Sequence, residues 1–599
     1  MKKEELRDQY LREAEESRTR AAKEESVLLL ISVLRLVCFL AGLSLVVFLA
    51  ANHEPVPAFV SALVFIVAFL FLLSAYSQHS YNKELASNLA SINQNEADAL
   101  SGDLSKFRDG GRFINNQHEF SYDIDLFGRD SLFQYLNRTV TAYGEETLTG
   151  WLSDPFALSP ELHRRQEIIR ELSNHRTLRQ HFMATGMKVP VDRDHATDLV
   201  MWLKGKNAFT PARSILIFLL PALTIIALLL LAAGALHYSV AVVLVLVNLG
   251  YVSSGLKDTN AIHRMVSGKY EWLSSLSGLL TVFGKERFVS PFLSAMQDEL
   301  SGEDFSAAAS VRKLGKIIQR FDSRLNMIAG FTLNGLLLWD YHCIRKLEQW
   351  KTENREKFTG WLQLTAEIDA YSSLANYAYN NGDYAWPAIS EKGAVIEATG
   401  LGHPLIPEEK RICNDFSVPG AGKICIITGA NMAGKSTFLR TVAANLILAM
   451  SGSPVCAASF EFKPVKLFTS MRTTDSLSGN ESYFYAELKR LRALRTEITG
   501  DKSVFFILDE ILKGTNSADK ALGSKLFLEK LITMGSAGMI ATHDISLADL
   551  EKSHPGSVLN MCFEIEIDGE KISFDYKLRE GITRKMNAAL LMRQMGILD

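Results

Sequence analysis

The chain lacks several features that would assign it to a common class at once. Its six cysteines form no C-x-x-C pair and have no zinc-site spacing, so the sequence offers no disulfide framework or zinc site. The formal net charge is −3, which gives no overall basic field for nucleic acid. No internal repeat or low-complexity tract is present. Buried thiols in a reducing cytosol are therefore expected for Cys38, Cys343, Cys413, Cys425, Cys456 and Cys562.

A phosphate-binding motif lies in the last third of the 599 residues. The stretch GANMAGKS, which starts at Gly429, fits G-x-x-x-x-G-K-[ST],. An apolar run precedes it and a helical apolar pattern follows it, as this loop requires. Lys435 is expected to reach the β- and γ-phosphates of a nucleotide, whereas an incidental glycine-rich turn is the alternative. The predicted nucleotide-binding residues here are Gly429, Ala430, Asn431, Met432, Ala433, Gly434, Lys435, Ser436 and Thr437.

A second apolar run, SVFFILDE, ends in the two carboxylates Asp509 and Glu510. A continuous apolar run is typical of a strand buried on both faces of a parallel sheet, and such sheets bind ligands at the carboxyl ends of their strands. We predict that Ser436 and Asp509 hold Mg²⁺ and that Glu510 orients or deprotonates the attacking water. His543 ends a further short strand and is predicted to sense the γ-phosphate, although a histidine there can also be inert.

Two pairs of long apolar runs mark the first half of the chain. Val27 to Ala51 and Val56 to Ala75 flank a short NHEP turn, and each is long enough to span a bilayer,. Ile215 to Ala233 and Ser239 to Val252 flank GALHY. The last run is short, so we expect it to be tilted, shifted or re-entrant, and a buried core hairpin is the alternative for this second pair. Four spans in two hairpins are predicted. A cleaved signal peptide is not expected, because a charged segment precedes the first run.

Lysine and arginine predict the orientation of these spans. Neither turn contains a lysine or an arginine, so the positive-inside rule places both turns outside and the two ends of the chain in the cytosol. Arg35 is the only charge in the first span and needs a partner or a path to the interface. The predicted location is the inner (cytoplasmic) membrane, with several spans. The flanking basic residues are Arg18, Arg20, Lys23, Lys83, Lys204, Lys206, Arg213, Lys257 and Arg264.

Soluble, largely helical segments follow each pair of runs. Residues 76–213 and 256–385 show apolar residues at three- and four-residue spacing,. NMIAGFTLNGLLLWD within the second segment is too brief to span a membrane, so we predict that it is core. Val311 to Phe358 is interpreted as one helix with an excess of basic residues. That excess indicates a solvated face, with nucleic-acid contact as the alternative.

Several of these motifs resemble the MutS family of mismatch-repair ATPases. TGANMAGKST resembles that family's T-G-P-N-M-G-G-K-S-T, with Ala430 and Ala433 in place of proline and glycine. The other similar stretches are SLFQYLNRTVTAYGEETLTGWL (131–152), LGHPLI (401–406), ICNDFSV (412–418), GNESYFYAEL (479–488), LDEILKGTNSADK (508–520), ATHD (541–544) and YKLREGITRKMNAALLMRQMGI (576–597).

The resemblance implies a homodimeric, Mg²⁺-dependent ATPase with shared sites. It implies that Asn414 contacts the nucleotide and that Ser482 and Asn480 complete the site of the opposite subunit. Asn480 stands where the family has glycine. Residues 1–120 hold a charged helix and apolar runs where the family carries its mismatch-reading domain. The resemblance therefore implies the nucleotide chemistry rather than mismatch reading.

Three functions remain open on the sequence. The first is a membrane-anchored ATPase whose dimer clamps or remodels DNA, and the second is the same cycle acting on a protein or lipid partner at the membrane. The third is an ABC-type transporter, since LSGNE at 477–481 loosely resembles L-S-G-G-Q. The spans have almost no polar interior residues, which makes a poor substrate path. No small-molecule substrate other than ATP is expected.

The predicted fold is an α/β P-loop ATPase domain of the ABC/MutS-like kind, joined to a mainly helical MutS-core-like domain and four transmembrane helices. The predicted segments are a charged cytosolic helix (1–26), hairpin 1 (27–75), the first part of the helical core (76–213), hairpin 2 (214–254), the helical core and lever (255–395) and the ATPase domain (396–599).

Overall fold

Helices dominate the chain as far as residue 380, and strands alternate with helices after it. The computed structural model describes residues 3–188, 194–205, 211–302, 305–391, 393–472, 483–501, 503–568 and 571–583. The helices are α1 (Lys3–Ala51), α2 (Pro55–Leu100), α3 (Leu132–Leu136), α4 (Ala142–Ser153), α5 (Ser159–Asn174), α6 (Arg176–Gly186), α7 (Asp194–Lys204), α8 (Pro211–Ala232), α9 (Tyr238–Ser254), α10 (Leu256–Val266), α11 (Tyr270–Gly284), α12 (Pro291–Leu300), α13 (Ala307–Asp322), α14 (Met327–Leu337), α15 (Trp339–Asn354), α16 (Lys357–Asn380), α17 (Lys435–Met450), α18 (Tyr483–Gly500), α19 (Ser517–Thr533) and α20 (Leu550–Ser553).

The strands form two larger sheets and two small hairpins within these ranges. They are β1 (Ser301–Gly302), β2 (Phe305–Ser306), β3 (Ala388–Ile389), β4 (Ile396–Leu401), β5 (Asn414–Val418), β6 (Ile424–Gly429), β7 (Ser459–Phe462), β8 (Lys466–Ser470), β9 (Val504–Asp509), β10 (Ala537–Thr542), β11 (Val558–Phe563), β12 (Glu566–Asp568), β13 (Lys571–Ser573) and β14 (Leu578–Glu580).

The larger sheet has the strand order β14-β11-β6-β10-β9-β8. All its neighbours run parallel except β14, which pairs antiparallel with β11. Alternate residues of β6 enter different cores, because successive side chains of a strand point to opposite faces. Ile424 and Ile426 join one apolar cluster, and Cys425 and Ile427 join the other. The sheet is therefore covered on both faces, as its apolar strands predict.

The helical core is less continuous than the sequence suggests. The predicted single helix from Val311 to Phe358 is wrong, since the chain is divided there into α13, α14, α15 and the start of α16. A 3-10 turn follows α13, and the Asn326 side chain then caps α14 by accepting the N–H of Ala329. Leu338 adopts a left-handed conformation (φ 49°) and separates α14 from α15. The segment between α2 and α3 is mostly irregular rather than helical.

The first two helices extend far beyond the predicted spans. Helix α1 is continuous from Lys3 to Ala51, so no break separates its charged start from its apolar end. Its 49 residues correspond to about 70 Å, whereas a bilayer core is about 30 Å thick. The charged halves of α1 and α2 pair with each other: Glu24 contacts His79 at 2.6 Å, and Glu25 contacts Lys83 at 2.8 Å.

The apolar halves of this helical pair are exposed. Large hydrophobic residues are exposed from Leu29 to Phe48 on α1 and from Val56 to Leu73 on α2. Arg35, the only charge in the first apolar run, lies over the rings of Tyr76 (5.0 Å) and Phe69 (5.5 Å) on α2. These aromatic faces are the partners that the sequence could not name, and they stabilise a guanidinium by cation–π attraction.

Three helices in the described ranges are long and apolar enough to cross a membrane, namely α1, α2 and α8. Helices α9 and α10 pass the same test only as a bent pair, with an angle of 66° between them. The exposed outer face of the α8–α9 hairpin speaks against the alternative of a buried core hairpin, since Leu229 and Leu246 are 66% and 60% exposed.

The prediction that the stretch around α14 is core is wrong. Met327, Ile328 and Phe331 are 74%, 80% and 63% exposed. Only the opposite side of α14 is covered, and it contacts α8 and α9. Composition alone did not predict this exposed face, because a helix that is hydrophobic all round is normally covered.

The charged ends of α1 and α2 are joined to the helical core by buried polar contacts. The Tyr10 hydroxyl donates to the Asn380 side chain at 2.8 Å, and Asn380 donates to Glu96 at 2.9 Å. Arg138 forms a buried ion pair with Glu96 at 2.5 Å. Asn380 is the last residue of α16, so the first helical pair is attached to the helix that leads into the α/β domain.

Candidate active site

A cleft of about 630 Å³ lies where β6, β9 and β10 end. These strands are parallel neighbours, so their carboxyl ends meet at one edge of the sheet. A volume of about 300–1,000 Å³ is typical of small-molecule and cofactor sites. The predicted site residues that line the cleft are Asn414, Asn431, Met432, Gly434, Lys435, Ser436, Thr437, Asp509, Glu510 and His543.

The predicted phosphate loop connects β6 to α17. Gly434 caps α17 with φ 101°, a conformation that favours glycine,. A Cβ at Gly434 would also lie 3.0 Å from the Tyr576 ring. Met432 is 75% exposed at the mouth of the cleft. The start of α17 therefore opens into the cleft, and a helix N-terminus attracts anionic phosphate.

Lys435 occupies the floor of the cleft. Its Nζ donates to the carbonyls of Gly429 (2.8 Å) and Ala430 (2.9 Å). Burial lowers the pKa of Lys435 to about 8, against the opposing effect of the Glu510 and Asp509 carboxylates. The ammonium group is therefore held at the loop by neutral carbonyls, which a phosphate group can replace as the stronger partner.

Ser436 and Asp509 meet as predicted for a magnesium site. The Ser436 hydroxyl donates to Asp509 Oδ2 at 2.6 Å. Among the described residues no cluster of three or more histidine, cysteine, aspartate or glutamate side chains forms a metal site. This donor set fits Mg²⁺, which is usually held by one or two protein oxygens together with water and substrate phosphates.

Glu510 and His543 form a close pair beside Lys435. Glu510 Oε1 lies 2.6 Å from His543 Nε2. The hydrogen bond from His543 lowers the pKa of Glu510 to about 2, although burial opposes it. Glu510 has φ 52°, and its N–H donates to the Ala541 carbonyl on β10 at 2.9 Å. The carboxylate is therefore ionised and is held between two neighbouring strands.

Family comparisons agree with this arrangement. The family model for MutS domain V matches residues 425–594, which include the loop and both carboxylates. The model for MutS domain III matches residues 114–375, which include most of the helical core. The chain belongs to the MutS family. The domain III match also includes α8 and α9.

Individual relatives are similar over a smaller part of this MutS-family chain. The DNA mismatch repair protein MutS of Thermotoga maritima is 32% identical over 240 residues, 39% of this chain and 29% of that protein. MutS protein homolog 4 of Homo sapiens is 32% identical over 241 residues, which cover 39% and 25% of the two chains. DNA mismatch repair protein MutS 2 of Halobacterium salinarum is 28% identical over 263 residues, or 43% and 30%. The matches span under a third of these relatives' length.

Asn414 of this MutS-family chain lies in the cleft wall, and its side-chain amide forms hydrogen bonds with backbone groups. Its Nδ2 donates to the Tyr576 carbonyl at 3.1 Å, and its Oδ1 accepts the N–H of Leu578 at 2.8 Å. These bonds fix the segment that carries Tyr576 across the phosphate loop. The predicted contact between Asn414 and the nucleotide remains a prediction.

The remaining predicted residues are placed differently. Ala430 and Ala433 are buried in the loop beneath the cleft, and Gly429 contributes its carbonyl to Lys435. Ser482 and Asn480, predicted to act in the opposite subunit's site, lie outside the described residues.

Glu487 is a site-associated residue that sequence reasoning missed. Its buried carboxylate accepts the N–H groups of Leu512 (2.5 Å) and Lys513 (3.0 Å). Burial raises the pKa of Glu487 despite these bonds. The carboxylate thereby ties α18 to the segment after Glu510, where Leu512 has φ 60°. Glu487 lies in the stretch GNESYFYAEL that resembles the family, and that resemblance is the only sequence signal that could have indicated it.

Tyr576 and His403 also line the cleft and were not predicted as site residues. Tyr576 is 44% exposed and stacks on Phe574 with ring centroids 6.0 Å apart. Burial lowers the pKa of His403 to about 4, so this imidazole is neutral at physiological pH. Both residues lie in stretches that resemble the family, and that resemblance is the only sequence signal that could have indicated them.

Proposed function

We propose that this MutS-family chain is an ATPase that binds ATP with Mg²⁺ in the cleft and hydrolyses it. The convergence of Lys435, the Ser436–Asp509 pair and the Glu510–His543 pair carries the proposal, because phosphoryl transfer depends on positioning and charge stabilisation. In this P-loop arrangement Lys435 exchanges its carbonyl partners for phosphate oxygens. Ser436 and Asp509 would hold Mg²⁺, which supplies neutralisation of the phosphate charge.

Glu510 is proposed to orient the attacking water. A carboxylate with a pKa of about 2 is a weak base, since general bases act best with a pKa near the working pH. His543 is close to both Glu510 and Lys435, at 2.6 and 3.3 Å. If His543 turns to the γ-phosphate, Glu510 loses its hydrogen bond and becomes more basic. The histidine thereby links phosphate occupancy to water activation.

The chain is further proposed to be an integral membrane protein of the cytoplasmic membrane. Helices α1, α2 and α8 and the bent pair α9–α10 would supply four spans. The exposed apolar faces of these helices support this proposal, because soluble proteins rarely expose apolar patches of such size. The N-terminal end, the helical core and the ATPase domain would then face the cytosol.

Cysteine labelling tests this topology. Asn52→Cys and Ala235→Cys, in the exposed turns before α2 and α9, are expected to react with an impermeant maleimide in sealed right-side-out vesicles. Lys106→Cys, exposed on the irregular segment after α2, serves as the matched control and is expected to react only after the vesicles are opened. The wild type gives the background of the native cysteines. Labelling of Lys106→Cys in sealed vesicles would overturn the orientation.

The ATP cycle is proposed to act in a homodimer that clamps DNA. The relatives named for DNA mismatch repair support this partner. The second candidate is a protein or lipid partner at the membrane, and a structural observation favours it. The α8–α9 hairpin interrupts the helical core, and α1 and α2 are attached to α16 through the Tyr10–Asn380 bond. Movement of the core would therefore reach the membrane helices directly.

A salt titration distinguishes the two partners. The ATP-bound Glu510→Gln form, reconstituted in nanodiscs, is expected to bind duplex DNA. The logarithm of its affinity should fall linearly with the logarithm of the salt concentration, with a slope of about −0.9 per phosphate contact. Lys435→Ala with ATP is the matched control and should not show the ATP-dependent increase in affinity. Absence of ATP-dependent binding at low salt would reject DNA and favour the membrane partner.

A further inference from the structure

Helix α14 exposes an apolar face that neither the ATPase site nor the four proposed spans explain. Met327, Ile328 and Phe331 project from it with 74%, 80% and 63% of their surface exposed, and Leu325 just before it is 71% exposed. The helix sequence MIAGFTLNGLL contains no charged residue. A soluble surface helix normally carries polar residues on its outer side.

The inner side of α14 is fixed to the α8–α9 hairpin. Gly335 packs so closely that a Cβ there would lie 3.0 Å from Val245 of α9. Asn248 of α9 is fully buried and donates to the Gly335 carbonyl (2.7 Å) and to the Thr224 hydroxyl of α8 (3.0 Å). Small residues and buried hydrogen bonds of this kind join helices within membranes. Helix α14 is therefore part of the same bundle as the hairpin.

Charged groups lie at the two ends of α14. Arg324 precedes the helix and forms an ion pair with Asp340, which follows it, at 3.0 Å. Arg324 also donates to Asn260 of α10 at 2.9 Å. The ion pair joins the two ends of the segment from residue 324 to residue 340. The uncharged helix α14 lies between these ends. An apolar stretch of 11 residues is short for a span and has the length of a re-entrant or interfacial segment.

The depth of this contact follows from α9. Asn248 lies six residues before Ser254, where α9 ends and the charged start of α10 (Lys257 and Asp258) follows. Six residues correspond to about 9 Å along a helix. The hydrocarbon region of one leaflet, which is half of the bilayer core, is about 15 Å thick. The 11 residues of α14 extend about 16 Å, too short to cross a core of about 30 Å. Its outer face therefore lies at the level of one leaflet only.

We infer that α14 is a membrane-inserted segment of the helical core. Its outer face (Met327, Ile328 and Phe331), together with Leu325 just before it, is covered by acyl chains of the cytosolic leaflet. The inference rests on the proposed membrane anchoring, because α8 and α9 set its depth. Helices α8 and α9, which α14 contacts, also expose apolar side chains, and Val243 on α9 is 56% exposed. Because α14 connects α13 to α15, the helical core contacts lipid through one of its own helices.

Depth-dependent fluorescence quenching tests this segment in the full chain. Ile328→Cys, labelled with a bimane probe, is reconstituted into phosphatidylcholine–phosphatidylglycerol vesicles that contain lipids brominated along the acyl chain. We expect the Ile328→Cys probe to be quenched by the brominated lipid and protected from aqueous iodide. Phe331→Cys lies on the same face and should show the same quenching by both reagents. It keeps the test usable if the Ile328→Cys variant does not fold.

Two control positions separate failure of this inference from failure of the anchoring. Val243→Cys on α9 reports the proposed span, and Leu158→Cys, 70% exposed before α5, reports an aqueous position. Lipid quenching at Val243→Cys with iodide quenching at Ile328→Cys would overturn the inference and leave the span intact. Absence of lipid quenching at both would overturn the anchoring and the inference with it. Protection of Ile328→Cys from both quenchers, with cross-linking between copies at this position, would show a second copy on the face and also overturn it.

Discussion

Replacement of Lys435 with alanine is expected to abolish ATP binding at working concentrations. Hydrogen bonds that involve a charged group contribute about 1.5–3 kcal/mol each, and each 1.4 kcal/mol is about tenfold in affinity. Nζ now makes two bonds to carbonyls and would make two to phosphate oxygens in the bound state. Loss of the two bonds to phosphate lowers the affinity for ATP about 10²–10⁴-fold. Titration with a fluorescent ATP analogue measures the change.

The matched control for Lys435→Ala is Lys463→Ala. Lys463 is exposed just after β7, outside the cleft, so its loss should leave ATP affinity unchanged. Equal unfolding temperatures of Lys435→Ala and the wild type would show that the loss of binding is local. Nucleotide binding by Lys435→Ala at the wild-type affinity would contradict the assignment of the cleft.

The same lysine gives the wild type a pH dependence. The pKa of about 8 in the nucleotide-free chain means that Lys435 is half deprotonated at that pH and mostly neutral above it. Phosphate favours the charged form, so ATP binding must then be accompanied by proton uptake. The ATP affinity of the wild type therefore falls as the pH rises through about 8, and Lys435→Ala lacks this dependence.

The sequence was sufficient for the parts of the site that are local in the chain. Gly429 to Ser436 follow one strand and start one helix, so their spacing alone predicts the phosphate loop. The run that ends in Asp509 predicts a buried strand. Because carboxyl ends of parallel strands share one edge, the meeting of Ser436 with Asp509 also followed.

Other contacts between distant residues could not be predicted in this way. The Glu510–His543 pair depends on β9 and β10 being neighbours, and the lowered pKa of Glu510 depends on that contact. The Glu487 carboxylate on α18 accepts the backbone N–H groups of Leu512 and Lys513, which follow Glu510. The Tyr10–Asn380 bond joins the two ends of the helical region, and no local pattern records such a pairing.

The two errors in the helical core have separate physical causes. Leu338 breaks the helix in a left-handed conformation although leucine itself favours helix, so no local preference predicts this break. The exposure of Ile328 and Phe331 depends on what lies beside α14. Hydrophobic composition predicts that such a helix avoids water, and it does not state whether protein or lipid covers it.

Glu510 is expected to separate ATP binding from hydrolysis. In the proposed mechanism the carboxylate does not bind phosphate, which Lys435 and the loop would attract, but accepts the proton of the attacking water. Its pKa of about 2 keeps it charged through the neutral range. A charged acceptor can fix the water's orientation and can receive its proton once His543 has moved to the γ-phosphate.

Glu510→Gln should therefore bind ATP as the wild type does and hydrolyse it about 10²–10⁴-fold more slowly, the usual contribution of a positioned acid–base group. The amide has nearly the same shape, so the fold and the cleft volume are kept while the charge and the proton acceptor are lost. Phosphate release under single-turnover conditions measures the chemical step directly, and nucleotide titration measures binding. Glu497→Gln, exposed on α18, is the isosteric control and should retain full turnover. If Glu510→Gln hydrolyses ATP at the wild-type rate, another residue must activate the water, and His543, 3.3 Å from Lys435, is the next side chain to test.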